Sequence, residues 1–348
     1  MLTSVILLQE VLSLNTRVVV TRYGGPEVLE VVNEPLRAPQ AGEIRVKVQY
    51  SGVALADIMR REGKYPLSPT PPFTPGYDAV GVVDELGEGV AGYHNGQRVG
   101  VFFNGVGSNA AYVYAQLDEV LPVPPDLDPE LIVASILNYV SAYQLLHRVA
   151  RVSQGERVLI HGASGGVGTA LLDLGRLSQV HMYGTASLAK HSVVARYGAR
   201  PIDYRQEDFV EVLGRLAPEG MDVVFDPIGG PNDQRSLQTL GKKGRFIAYG
   251  YTSVLAQGSR EDWTKEWADL AEKDTTESGQ PVSLYTITSL KQQRLDWFRE
   301  DAAAVFSLLE KGAIHPLISH CVPLRDAPQA HELLEKSLAV GKVILTHD

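Results

Sequence analysis

The chain has 348 residues, 44% of them hydrophobic and 21% charged, a globular composition with length enough for two cores. Its net charge of −9, without any lysine- and arginine-rich block, argues against nucleic-acid binding and against docking on an anionic membrane. The single cysteine, Cys321, excludes an intrachain disulfide and a cysteine-rich zinc site, and it suits a reducing, cytoplasmic compartment.

Residues 1–14 are fairly apolar but interrupted by Gln9 and Glu10, with no basic segment before them and no small-residue cleavage site after. The stretch is too short to cross a bilayer and reads as an extension or a short packed helix. Strand patterns follow at residues 18–23, 28–32 and 43–50, separated by Gly24-Gly25-Pro26 and by Pro39-Gln40-Ala41-Gly42. More strands are predicted at 78–85, 98–103 and 110–115. Short strands punctuated by glycine and proline predict a compact, partly open barrel.

After Pro122-Val123-Pro124-Pro125 the texture changes. Asp128-Pro129-Glu130 has the form of a helix start, predicting one helix to about Tyr139 and a second over 142–150. Next comes the most informative run, Arg157-Val158-Leu159-Ile160-His161-Gly162-Ala163-Ser164-Gly165-Gly166-Val167-Gly168. It is an apolar strand entering a glycine-rich turn that opens into a helix. Such a turn lets backbone approach a pyrophosphate closely, with the amides and positive dipole end of the helix facing the charge. Dinucleotide binding is therefore expected, with Ala163, Ser164, Gly165, Gly166, Val167 and Gly168 as contacts.

Beyond the turn, strands are predicted at 158–161, 181–184, 223–226 and 245–250, with helices between them. This alternation predicts a parallel sheet covered on both faces. A polar segment, 253–281, interrupts the pattern, with Ser259-Arg260-Glu261-Asp262 able to cap a helix. Its Trp263 and Trp267 allow two readings, a lid over the pocket or indoles packed on the core. A last sheet strand at 282–288, an amphipathic helix over 294–311, a closing helix over 327–338 and a strand at 342–346 complete the chain.

Tyr23-Gly24-Gly25-Pro26-Glu27-Val28-Leu29, Pro72-Phe73-Thr74-Pro75-Gly76-Tyr77-Asp78-Ala79-Val80-Gly81-Val82-Val83, the glycine-rich turn, Tyr183-Gly184-Thr185-Ala186 and Val340-Gly341-Lys342-Val343-Ile344-Leu345 stand in this order. From about Arg17 to its end, the chain resembles the zinc-free, quinone oxidoreductase-like branch of the medium-chain dehydrogenase/reductases. The resemblance implies an α/β fold in two domains. A GroES-like, partly open β-barrel catalytic domain would comprise residues 1–136 and 289–348, and a doubly wound Rossmann domain residues 137–288. It also implies an active site in the cleft between them and a homodimer made by pairing the last Rossmann strands, near 282–288.

Zinc-dependent relatives need a cysteine and a histidine in the first domain. The matching positions here are Ala54 and Tyr77, and neither is a plausible ligand. No metal is expected, so an activated acceptor, a quinone or a carbonyl-conjugated double bond, suits the chemistry better than an unactivated alcohol.

The strand end Gly184-Thr185-Ala186-Ser187 lacks the acid that binds the ribose 2′-hydroxyl of NAD. The resemblance gives Lys190 and Tyr204 contacts to a 2′-phosphate, with Arg205 adding charge, so NADPH is the expected cofactor. Lys190 and Arg205 can equally be read as solvated surface side chains. Thr185, Gly250 and Lys342 are further implied contacts, although Lys342 can also be read as a surface lysine. Ser141 is implied beside the nicotinamide, or else it caps the helix predicted from Ala142.

Family quinone reductases carry an asparagine and an early tyrosine in the pocket, where this chain has Ala54 and Met59. The pocket is therefore more apolar. Tyr65, in Gly63-Lys64-Tyr65-Pro66, matches the setting of a proposed proton donor in related enoyl-thioester reductases, although a tyrosine beside proline can simply anchor a loop. Asp57 reads as a loop-orienting residue or a salt-bridge partner of Arg60 or Arg61. The expected function is NADPH-dependent reduction of quinones or enones. The alternatives are an enoyl-thioester reductase and an NADPH-binding protein with little turnover.

Overall fold

The computed structural model describes residues 13–276 and 278–347. The expectation for residues 1–14 lies outside the described residues as far as residue 12, and Leu14 already opens the first strand. Two sheets organise the molecule. A six-stranded, all-parallel sheet runs in the order Arg200–Asp203, His181–Ala186, Arg157–Ile160, Met221–Asp226, Leu240–Ala248, Val282–Leu284. The chain leaves Arg157–Ile160 in one direction and resumes on its other side with Met221–Asp226. That reversal opens a crevice at the carboxyl ends of the strands.

The second sheet has seven strands. Ile318–Pro323, Lys342–Thr346, Glu43–Val53, Asp78–Leu86, Arg98–Phe102 and Val120–Pro122 lie side by side, and Tyr112–Gln116 pairs with Glu43–Val53. Its strands pair antiparallel except Ile318–Pro323 with Lys342–Thr346. The hairpin of Leu14–Val20 and Leu29–Pro35 closes one end through bridges from Arg17 to Ala110 and Val20 to Phe73. The C-terminal strand thus returns to the N-terminal domain.

One helix joins the two sheets. Pro129–Tyr143 is capped by the Asp128 carboxylate, which accepts the Glu130 amide at 2.9 Å. Every residue from Ile132 to Ala142 is buried, because the helix packs on the second sheet with one face and on Gly166–Leu177 and Leu295–Glu310 with others. The break expected at 140–141 is absent: nothing between Tyr139 and Gln144 stops a helix, and the chain runs straight into the π-helical Gln144–Val149.

Other departures have local causes. The strand expected over 282–288 ends at Leu284, because the Thr286 hydroxyl accepts the Ser289 amide at 3.0 Å and starts the helix Ile287–Gln293. Pro201 hid the strand Arg200–Asp203, which tolerates a proline because it is the outermost strand. The helix Leu55–Arg61 starts where Asp57 accepts the Ala54 amide at 2.8 Å. No apolar periodicity marked it in the sequence. No described helix is long and apolar enough to cross a membrane.

Candidate active site

The two sheets face each other across a cleft of about 610 Å³. All six parallel strands deliver residues at or just beyond their carboxyl ends to it: His161 with Gly162 and Ser164 to Gly168, Thr185 to Ser187 with Lys190, Tyr204, Pro227 with Ile228, Tyr249 with Gly250, and Tyr285 to Thr288. The first domain adds Ala54, Met59, Tyr65 and Tyr77, and the returning strand adds Gly341 and Lys342.

The glycine-rich turn is packed as a close backbone approach requires. Gly162 has φ +62°, a conformation that side chains disfavour. A Cβ on Gly168 would lie 2.3 Å from the Gly162 carbonyl oxygen, and one on Gly166 would lie 2.5 Å from the Asn138 side-chain nitrogen. Gly165 starts the helix Gly166–Leu177 and no side chain caps it, which leaves first-turn amides at the cleft. Pyrophosphate needs such an uncapped, side-chain-free helix start, so these residues fit a dinucleotide.

Twelve of the expected site residues line this one cleft: Tyr65, Ser141, Ser164, Gly165, Gly166, Val167, Gly168, Thr185, Lys190, Tyr204, Gly250 and Lys342. Ala163 and Arg205 do not. Ala163 is fully buried behind the turn, its amide donating to the Thr185 carbonyl at 3.0 Å. Arg205 sits beside Tyr204, its guanidinium 5.7 Å from that ring. Lys190 is half-buried and anchored, Nζ donating to the Ala339 carbonyl at 2.7 Å across the domain boundary. Burial and the Arg205 charge together lower its pKa. Ser141 lies inside Pro129–Tyr143 and caps nothing. Lys342 is 2% exposed, and its Nζ is held by both Asp78 carboxylate oxygens at 2.9 and 2.8 Å.

The wall where Tyr65 of the first domain meets the helix after the fifth parallel strand is aromatic. Tyr65 meets Trp263 edge-on at 4.9 Å, Trp263 stacks on Tyr251 at 5.7 Å, and Trp267 meets Trp263 edge-on at 5.5 Å. These indoles belong to the helix Arg260–Lys273, which opens with the expected Ser259 cap. Trp263 is therefore packed core that also lines the cleft. Among the described residues Asp57 makes no salt bridge. Its oxygens accept the Ala54 amide at 2.8 Å and the Gly76 amide at 3.2 Å, and burial pushes its pKa up to about 7.

Sequence reasoning missed a buried polar chain beneath the turn. The Gly162 amide donates to the Thr185 hydroxyl at 3.3 Å, and that hydroxyl lies 3.1 Å from His161 Nδ1. His161 Nε2 is 3.0 Å from the Ser236 hydroxyl, which donates to Asp226 at 2.6 Å. Burial lowers the pKa of His161. With Ser236 donating to Asp226, the neutral ring serves as donor to Ser236 and acceptor from Thr185, which fixes the turn. The visible signal was a histidine between the strand and the first glycine. Nothing local linked it to Ser236.

Comparison with known proteins follows this geometry. Residues 40–125 match the alcohol dehydrogenase GroES-like domain family, and residues 197–345 match the zinc-binding dehydrogenase family. The quinone oxidoreductase of Rattus norvegicus is 30% identical over 331 residues, covering 94% of this chain and 96% of that protein. The chain belongs to the quinone oxidoreductase branch of the medium-chain dehydrogenase/reductases. Within the same superfamily, the synaptic vesicle membrane protein VAT-1 homolog of Danio rerio is 31% identical over 346 residues, or 94% of this chain and 69% of that protein. The solved quinone oxidoreductase of Escherichia coli, complexed with NADPH, superposes with a TM-score of 0.83 at 27% identity, covering 95% of this chain and 99% of that one. The family is one of oxidoreductases.

Among the described residues, no group of three or more histidine, cysteine, aspartate or glutamate side chains could hold a metal ion.

Proposed function

We propose that this protein is an NADPH-dependent reductase of quinones or carbonyl-conjugated double bonds, working without zinc. The observation that carries the reading is the single cleft in which an uncapped, glycine-lined helix start and the anchored Lys190 meet an apolar pocket. NADPH would lie with its diphosphate on the amides of the turn and its 2′-phosphate toward Lys190 and Tyr204, with Arg205 adding longer-range charge. When bound, NADPH supplies the hydride.

The protein's part is orientation, exclusion of water and proton supply. Ser141, Gly250 and Lys342 line the cleft and would border the nicotinamide. Met59, Trp263 and Trp267 keep it dry, and Tyr65 and Tyr77, which line the cleft, are the candidate proton donors. Ala54 and Tyr77 stand where zinc ligands would be needed, so polarisation must already reside in the acceptor. A homodimer and a cytoplasmic setting are part of the same proposal.

Aerobic NADPH oxidation measured with a panel of quinones, enones and enoyl thioesters tests it. Turnover is expected with quinones or enones. Tight NADPH binding with no turnover on any of them would favour a cofactor-binding protein instead, a reading that the apolar Ala54 and Met59 make specific.

A further inference from the structure

Arg60 is 2% exposed and packs against Tyr65 and Tyr77, two residues of the cleft wall. A buried guanidinium is ordinarily paired with a carboxylate. Among the described residues Arg60 has no ion pair. Nη1 donates to the Leu67 carbonyl at 2.7 Å, Nη2 donates to the Asn104 carbonyl at 3.1 Å and to the Tyr77 hydroxyl at 3.0 Å, and Nε has no partner. Its one carboxylate neighbour on the same helix, Asp57, spends both oxygens on backbone amides.

The full charge therefore faces two phenols. The guanidinium lies 4.0 Å from the centre of the Tyr65 ring and 5.4 Å from that of Tyr77. The two contacts differ in kind. Tyr65 offers Arg60 its ring face, whereas Tyr77 offers its oxygen. Because that oxygen accepts from Arg60, the hydroxyl hydrogen of Tyr77 is free to be given, and no described residue accepts it. Gly105, at φ +89°, makes the fit possible: a Cβ there would lie 2.5 Å from Arg60 Nε and 2.7 Å from Tyr77 Cζ. Burial, with the Tyr65 hydroxyl near, pushes the Tyr77 phenol well above its ordinary range while Arg60 opposes, so the phenol is protonated when substrate arrives.

We propose that Tyr77 delivers the proton to the reduced substrate, with Arg60 as the positioning residue that holds the tyrosinate left behind. The proposal rests on the enone-reductase reading above. The β-carbon of the enone takes a hydride and its two electrons from NADPH, leaving NADP+. The electron pair of the C=C bond moves onto the carbonyl to give an enolate. The O–H bond of Tyr77 breaks as a C–H bond forms at the α-carbon. The phenolate pairs with Arg60 and is reprotonated by water. An anion formed beside a buried cation that has no ion pair is stabilised.

The test uses 2-methylcyclohex-2-enone in D2O, where α-deuteration creates a stereocentre and records the direction of proton delivery. For the wild type, deuterium is expected on one face. Tyr77→Phe leaves Arg60 its two carbonyl acceptors. It should retain NADPH affinity and lower kcat by roughly 10²- to 10⁴-fold, the contribution of a positioned acid. It should also scramble the α-stereocentre. Arg60→Met should lower kcat with KM and NADPH affinity kept, and Arg60→Lys should recover part of the loss. A Tyr77→Phe enzyme that keeps its rate and its facial selectivity, or scrambling in Tyr65→Phe alone, would overturn the assignment while leaving the enone-reductase reading intact. A wild type inactive on all enones would overturn both.

Discussion

Lys190 crosses from the parallel-sheet domain to the Ala339 carbonyl, and that bond decides how its charge is used. One of its three N–H groups is fixed, and the others remain for a phosphate in the cleft it lines. A hydrogen bond between charged partners is worth about 1.5–3 kcal/mol. Lys190→Ala should therefore weaken NADPH binding by roughly 10- to 150-fold and NADH binding much less, as read by fluorescence titration. Equal losses for both cofactors would remove Lys190 from the 2′-phosphate.

A second residue carries a pH signature. Asp233 is buried at the start of Pro231–Gln238, and burial, then Asp226 and Glu266, pushes its pKa up to about 9 from 3.8. The folded protein keeps this proton over a range in which the unfolded chain releases it. The stability it contributes is present below about pH 4 and is lost progressively as pH rises toward 9. Asparagine mimics the neutral acid without titrating. The melting temperature of Asp233→Asn should exceed that of the wild type by a margin that widens from pH 5 to pH 8. A constant margin would mean that Asp233 is ionised in the fold.

Elements differ in how openly the sequence announces them. The strand Arg157–Ile160, its turn and Gly166–Leu177 are readable because apolar run, glycines and helix are contiguous. Arg200–Asp203 is hidden because only its outermost place in the sheet excuses Pro201. The pairing of Tyr77 with Arg60 and of His161 with Ser236 spans 17 and 75 residues, beyond any local pattern. Lys342 is legible as a cleft residue, whereas its ion pair with Asp78, 264 residues away, is not. The terminal strand Val282–Leu284 is the element through which a dimer would form. Its Val282 amide is already given to the Asp274 carbonyl at 2.8 Å, which shortens the open edge without closing it. Sedimentation should give twice the chain mass of 37.9 kDa, and a monomer at micromolar concentration would remove edge pairing from the account.

At the scale of the molecule, the chain's return to its first domain makes the cleft one unit. Gly341 pairs with Gly165, and its amide donates to the Ser164 carbonyl at 3.1 Å, so the last strand touches the turn proposed to hold the diphosphate. Cofactor recognition and the first domain are thereby mechanically joined, and binding should tighten the whole fold. Titrating the wild-type protein with NADPH and with NADH, following nicotinamide fluorescence, tests this directly. The account predicts saturable binding of NADPH, at least about tenfold tighter than NADH, a gap of about 1.4 kcal/mol. Failure to bind either nucleotide, or a preference for NADH, would contradict it.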